Sequence, residues 1–295
     1  MPPEEKENNQ ESATKKVLKL LLKIVVTILC FWYISTKINW SETVTALGKA
    51  RFFPLVVALV LFILSKIVSA FRLNIYFRNA GIQLSETKNL KLYWLGMFYN
   101  LFLPGAISGD AYKVILLKRR YQVSYKNASA AVLLDRFSGV LALGVVMSIY
   151  GVIVLEHTYW KLIFASGAAL AIGGFYLGIR FLFPDFLSSF FTVLFWGLGV
   201  QILQVICIYF ILSGLHLPPD HQWVFIFLAS AVISILPVSL GGGLGTREVV
   251  FAEGAGLFQL DPQTGVTISL LFYLITLVGS LWGAYYSVKD PLEKS

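Results

Sequence analysis

A series of apolar runs limits what this chain can fold into. Several reach about 18 residues, the length a helix needs to cross a hydrocarbon core about 30 Å thick. Of the 295 residues, 57% are hydrophobic and only 14% charged, against roughly 25% charged in soluble globular chains. So little charge cannot clothe a core of this size in a wettable surface. A soluble enzyme, a nucleic-acid-binding domain and a disulfide scaffold are excluded. The chain is expected to be an all-α, polytopic helical membrane protein. Its net charge of +8 would point to nucleic acid in a soluble domain. In a membrane protein, Lys and Arg instead gather in cytoplasmic loops beside anionic lipid, so no nucleic-acid partner is expected. Cys30 and Cys207 lie inside apolar runs as small packing residues. His157, His216 and His221 share no ligand spacing. Neither a disulfide, a metal nor a cofactor is expected.

Residues 1–14 are polar and read as a disordered cytoplasmic tail. A first span is expected over about 17–35, with Lys19 and Lys23 snorkelling to the headgroups. No small-residue cleavage site follows it, so it reads as a retained span and not as a signal peptide. Further spans are expected at about 52–73, 128–155, 160–182, 189–213 and 265–287, making about six. The membrane domain would fill 15–290, with a short tail at 291–295. Arg72, Arg78, Lys88 and Lys91 read as a basic loop after the second span. Trp40, Trp94, Tyr159, Trp160, Trp223, Tyr285 and Tyr286 lie near span ends and fit interfacial belts.

Two apolar blocks are broken. In the first, about 92–117, the stretch LFLPGAISGD interrupts the helix at Pro104, Gly105 and Gly109. Each arm of about 12 residues covers roughly 18 Å, enough to reach the midplane and return. Basic residues flank the block on both sides, Lys118, Arg119, Arg120 and Lys126 following it. A re-entrant hairpin keeps both flanks cytoplasmic. The second block, about 222–258, carries ILPVSLGGGLGTRE. Charge does not separate a hairpin from two short spans there, so the hairpin rests on symmetry with the first.

With the N-terminus inside, each half then reads span, span, hairpin, span, at about 17–155 and 160–288, in opposite orientation. LPGAISGD and LPVSLGGG lie 133 residues apart, followed by Lys113 and Arg247 respectively. Only Lys37, Lys49, Arg51, Lys161 and Arg247 of the 24 basic residues then lie outside or toward the outside, and both termini are cytoplasmic. Inverted repeats with paired broken helices are a transporter architecture.

Irregular backbone at membrane depth survives only where protein buries it or it lines a wet cavity, so the two tips are the site candidates. Ser108 would cap a half-helix whose amides face the cavity. Asp110 either complements the helix dipole or contacts a proton or a cationic headgroup. Lys113 either pairs with Asp110 or contacts phosphate. Asp135 and Arg136 point in different helical directions and should have different partners; the pair is either an interfacial anchor, or Arg136 reaches Asp110 or a lipid phosphate. Asn100 could satisfy backbone freed by the break. In the second tip Gly241, Gly242, Gly243 and Gly245 allow close backbone approach or plain helix packing. Arg247 is the first choice for a phosphate contact because its planar fork matches phosphate oxygens, and Glu248 stands beside it. Asp110, Asp135, Glu248 and Glu253 are the candidates for proton coupling. No G-x-x-x-x-G-K-[ST], G-x-S-x-G or H-E-x-x-H motif occurs, and an enzyme is not expected.

FYNLFLPGAISGDAYKVILLKRR, ASAAVLLDRFSGVLAL and ILPVSLGGGLGTREVVF resemble the signature stretches of the lysylphosphatidylglycerol synthase transmembrane-region family of flippase-like membrane proteins. The resemblance implies roles for Asn100, Pro104, Gly105, Gly109, Asp110, Asp135, Arg136, Gly243, Gly245, Arg247 and Glu248. Ser108 stands where the family usually has glycine, and Lys113 where arginine is common. Bifunctional members carry a soluble aminoacyl-transferase domain after the membrane part, which this sequence does not contain. The expected function is translocation of a phospholipid or polyprenyl-phosphate-linked lipid across the cytoplasmic membrane, with membrane lipids as partners and a homo-oligomer left open. The alternatives are a membrane-embedded transferase acting on lipid-linked substrates and a non-transporting assembly partner of a lipid or glycan enzyme.

Overall fold

The structure, a computed structural model, describes residues 18, 21, 24, 25, 28–30, 32–36, 39–102, 108–235 and 243–292. The expected tail at 1–14, eight of the nineteen residues of the expected first span, Pro104, Gly105, Gly241 and Gly242 lie outside the described residues. Those described are helical or in short connections. Residues 28–30 and 32–36 are helical. The elements then run α1 (Trp40–Lys49), α2 (Phe52–Asn79), α3 (Glu86–Phe102), α4 (Ser108–Tyr121), α5 (Tyr125–Val154) and α6 (Thr158–Leu182). A 3-10 turn (Pro184–Ser189) leads to α7 (Phe190–Gly214), α8 (His221–Ile235), α9 (Thr246–Leu257) and α10 (Pro262–Val288).

Among the described residues, five segments are long and apolar enough to cross a membrane: α2, α5, α6, the 3-10 turn with α7, and α10. These are the last five of the six expected spans. Local sequence sets their starts. Ser124 Oγ accepts from Asn127 N ahead of α5. Asp261 accepts from the amides of Gln263 and Thr264, with Pro262 at the first position of α10. The second span runs further than expected, to Asn79, because Arg72, Asn74, Tyr76 and Phe77 are buried rather than solvated. Arg72 therefore belongs to the helix and not to a basic loop. Trp94 and Trp223 are buried too, so they pack the core and are not interfacial anchors, whereas Tyr159, Trp160 and Tyr285 are exposed.

The broken blocks form two antiparallel helix pairs. Along α3 and α4, Tyr93 faces Lys113, Tyr99 faces Tyr112 and Asn100 meets Gly109. Along α8 and α9, Phe225 near the start of one meets Phe258 just past the end of the other. With 14 residues in α4 and 12 in α9, these arms span only about 21 and 18 Å at 1.5 Å per residue.

The halves are related by inversion. α2 and α7, the second span of each half, pack together antiparallel: Arg51 N donates to Gly214 O at 2.8 Å at one end, and Asn79 Nδ2 bonds Ser189 Oγ at the other. The arms of the two helix pairs pack on the long helices in matching ways. α3 packs on α10 as α8 packs on α5, and α4 packs on α5 as α9 packs on α10. The pairs open to opposite ends of the bundle. The α3–α4 pair opens where Arg78 meets Glu86 and Arg120 meets Asp290. The α8–α9 pair opens where His221 reaches Tyr209 and Tyr150.

Candidate functional site

The first tip is built on two glycines. A Cβ on Gly109 would lie 2.0 Å from Gly96 O, so only glycine allows the arms to cross this closely. Asn100 Oδ1, in the last turns of α3, accepts from Gly109 N at 2.8 Å and so satisfies an amide of the opening turn of α4. Ser108 is the first residue of α4, one position inside the expected cap. Asp110 is buried and holds two cations: Lys113 Nζ donates to it at 2.9 Å, and Arg136 Nε donates from α5. Lys113 also lies 4.7 Å from the centre of the Tyr93 ring. A cavity of about 480 Å³ between α2, α3 and α10 is mostly apolar, with Thr87, Lys91 and Tyr286 in its wall. A second, of about 360 Å³, lies between α4 and α5 with Asp110 and Arg136 in its wall.

Asp135 and Arg136 do part company. Asp135 turns to α2, where Arg72 Nε donates to its carboxylate at 2.8 Å and Arg72 Nη2 to its backbone oxygen at 3.1 Å. The Arg72 guanidinium fits between Gly139 of α5 and Gly197 of α7.

The second tip is held by its own sequence. Gly243 and Gly245 have φ of +99° and +87°, backbone that L side chains rarely adopt. Glu248 caps α9, accepting from Gly245 N at 2.7 Å and from Ser269 Oγ at 2.8 Å. Arg247 is only 5% exposed, yet its Nε and Nη2 have no hydrogen-bond partner among the described residues. Its guanidinium carbon lies 4.6 Å from the centre of the Phe272 ring and 6.0 Å from that of Phe227. Glu253, further along α9, is exposed and accepts from Tyr33, away from the tip.

Both tips reach similar depth. Arg136 and Phe272, their contacts on the long helices, are the twelfth and eleventh residues of α5 and α10. Two further cations share this layer. One is Arg72. The other is Lys66, which sequence reasoning did not single out. It stands half-buried in α2, about 20 Å from either helix end at 1.5 Å per residue. Its Nζ lies 4.7 Å from the centre of the Phe62 ring, and among the described residues it forms no salt bridge. The signal for it was available, since a lysine that deep cannot snorkel out. A cation at mid-membrane costs roughly 2.5–3.5 kcal/mol on insertion scales, and a cation–π contact returns about 0.5–2 kcal/mol. The aromatic contacts of Lys66 and Arg247 therefore do not offset their burial.

Comparison of the sequence with known proteins matches it to a family. The family model for the lysylphosphatidylglycerol synthase TM region matches residues 20–188 and 184–283. The chain belongs to this family. A UPF0104 membrane protein of Pyrococcus horikoshii is 27% identical over 135 residues, covering 45% of this chain and 39% of that protein. The match thus spans well under half the length of that relative.

Proposed function

We propose that this protein is a lipid translocase that carries a phosphate-bearing lipid between leaflets of the cytoplasmic membrane, with the phosphate bound at Arg247. The observation that carries the reading is the buried Arg247 guanidinium, two of whose nitrogens have no partner among the described residues, at the glycine-lined entrance of a half-helix. A phosphate oxygen pair matches that fork. The two helix pairs dip into the bilayer from opposite faces, and rocking of one inverted half on the other exposes the head alternately. Arg78, Lys88, Lys91, Lys118, Arg119, Arg120 and Lys126 flank the α3–α4 pair, against Lys49, Arg51 and Lys161 at the other end, which favours a cytoplasmic α3–α4 end. Asp110 is held by two cations and Glu248 by Gly245 and Ser269. Carboxylates fixed as acceptors favour binding over acid–base transfer chemistry.

The test is leaflet exchange of fluorescent phosphatidylglycerol in liposomes carrying the full chain, read by dithionite quenching. Arg247→Glu is expected to abolish exchange while expression and the size-exclusion profile stay unchanged. A folded Arg247→Glu protein exchanging at the wild-type rate would reject the site.

A further inference from the structure

The charges around the two tips do not balance. Among the described residues of this layer, Lys66, Arg72, Lys113, Arg136 and Arg247 face only Asp110, Asp135 and Glu248 as carboxylates, with Glu253 lying away against Tyr33. Asp135 is taken by Arg72, and Asp110 is shared by Lys113 and Arg136. Glu248 bonds neutral donors at the α9 cap, the Gly245 amide and the Ser269 hydroxyl, and no salt bridge joins it to Arg247 among the described residues.

The cations without a carboxylate contact share one aromatic shelf. Phe62 meets Phe272 edge-on at 5.8 Å, and Phe272 packs on Phe227 at 4.8 Å. Lys66 lies over Phe62 and Arg247 over Phe272. Uncompensated like charges at this depth repel one another, and an anion between them removes the repulsion. A lone guanidinium needs one negative charge; a guanidinium and an ammonium side by side, in a layer of five cations and three carboxylates, suit two.

We propose that Lys66, from the opposite half of the molecule, is a second headgroup ligand beside Arg247, and that the site selects a lipid head with two negative charges, a phosphate monoester or diphosphate, over a phosphate diester. This rests on the phosphate reading of Arg247. Because Lys66 belongs to α2 and Arg247 to α9, one head bound by both bridges the two halves whose relative movement transport requires.

The experiment measures binding of phosphatidic acid and phosphatidylglycerol with identical acyl chains to the full-length protein in detergent by native mass spectrometry. It is run at pH 8, where a phosphate monoester has lost most of its second proton. The wild type is expected to bind phosphatidic acid about tenfold more tightly, the effect of one added charge-assisted contact. Lys66→Gln should bring the two affinities to within about threefold, largely by weakening phosphatidic acid. Lys66→Arg, which keeps the charge, should retain the preference. Arg247→Gln should weaken both lipids. Equal affinities in the wild type, or a preference that survives Lys66→Gln, would overturn the Lys66 inference and leave Arg247 standing. Arg247→Gln binding both lipids as the wild type does would instead overturn the phosphate site itself, and the inference with it.

Discussion

Arg72 and Arg247 are two buried guanidinium groups with opposite circumstances. Arg72 is matched by Asp135 at 2.8 Å, while Arg247 rests on Phe272 with two nitrogens unpartnered among the described residues. Removing one partner of a buried pair leaves the other charge uncompensated and costs about 3–5 kcal/mol. Asp135→Asn is therefore expected to lower the thermal unfolding midpoint in detergent sharply, and Arg72→Met combined with Asp135→Asn to recover part of the loss. Arg247→Gln should cost far less, because no carboxylate is left behind. If Asp135→Asn unfolds at the wild-type temperature, the pair contributes nothing to stability. Sequence showed that Asp135 and Arg136 must diverge, since adjacent helical residues cannot share a direction. It did not show that Asp135 would find Arg72, 63 positions away, because nothing local records which helix lies opposite.

At the scale of the helix pairs, glycine serves two distinct ends. Gly109 permits contact between arms, whereas Gly245 permits a backbone angle. Gly245→Ala places a Cβ at φ +87° and is expected to destabilise by at least about 1–2 kcal/mol. Gly256→Ala, in the same helix α9 with open space around its position, should be neutral or stabilising by up to about 1 kcal/mol. Thermal melts of the two variants side by side check this. A Gly245→Ala protein as stable as Gly256→Ala would show that the turn tolerates a side chain. The breaks in the helices were legible from proline and glycine alone. That Gly96 and Gly109 lie one against the other was not, because it depends on how the arms cross.

For the whole molecule, inversion makes a topological prediction. With Cys30 and Cys207 replaced by alanine, single cysteines at Gln83 and Asn127 flank the α3–α4 pair, and single cysteines at Pro219 and Leu260 flank α8–α9. In sealed vesicles an impermeant maleimide should reach the first two positions from one side only and the last two from the opposite side only. Labelling of Gln83→Cys and Asn127→Cys from different sides would mean that the α3–α4 block crosses the membrane, and the inverted arrangement would fall. Sequence carried this architecture a long way, through the 133-residue spacing of the two broken motifs and the bias of basic residues. The antiparallel packing of α2 on α7, which relates the halves, has no sequence signature because nothing local records which distant helix the small and polar residues of α2 will face.

Run length, proline, glycine and the distribution of lysine and arginine determined from sequence alone that this is a polytopic helical membrane protein with two broken helices. Each of those features acts locally, through helix length or backbone freedom, or through transfer into lipid. Which charges neutralise one another was decided only by the tertiary structure. Pairing depends on distances between helices, and those distances left Arg247 and Lys66 without a carboxylate where one was available to Arg72.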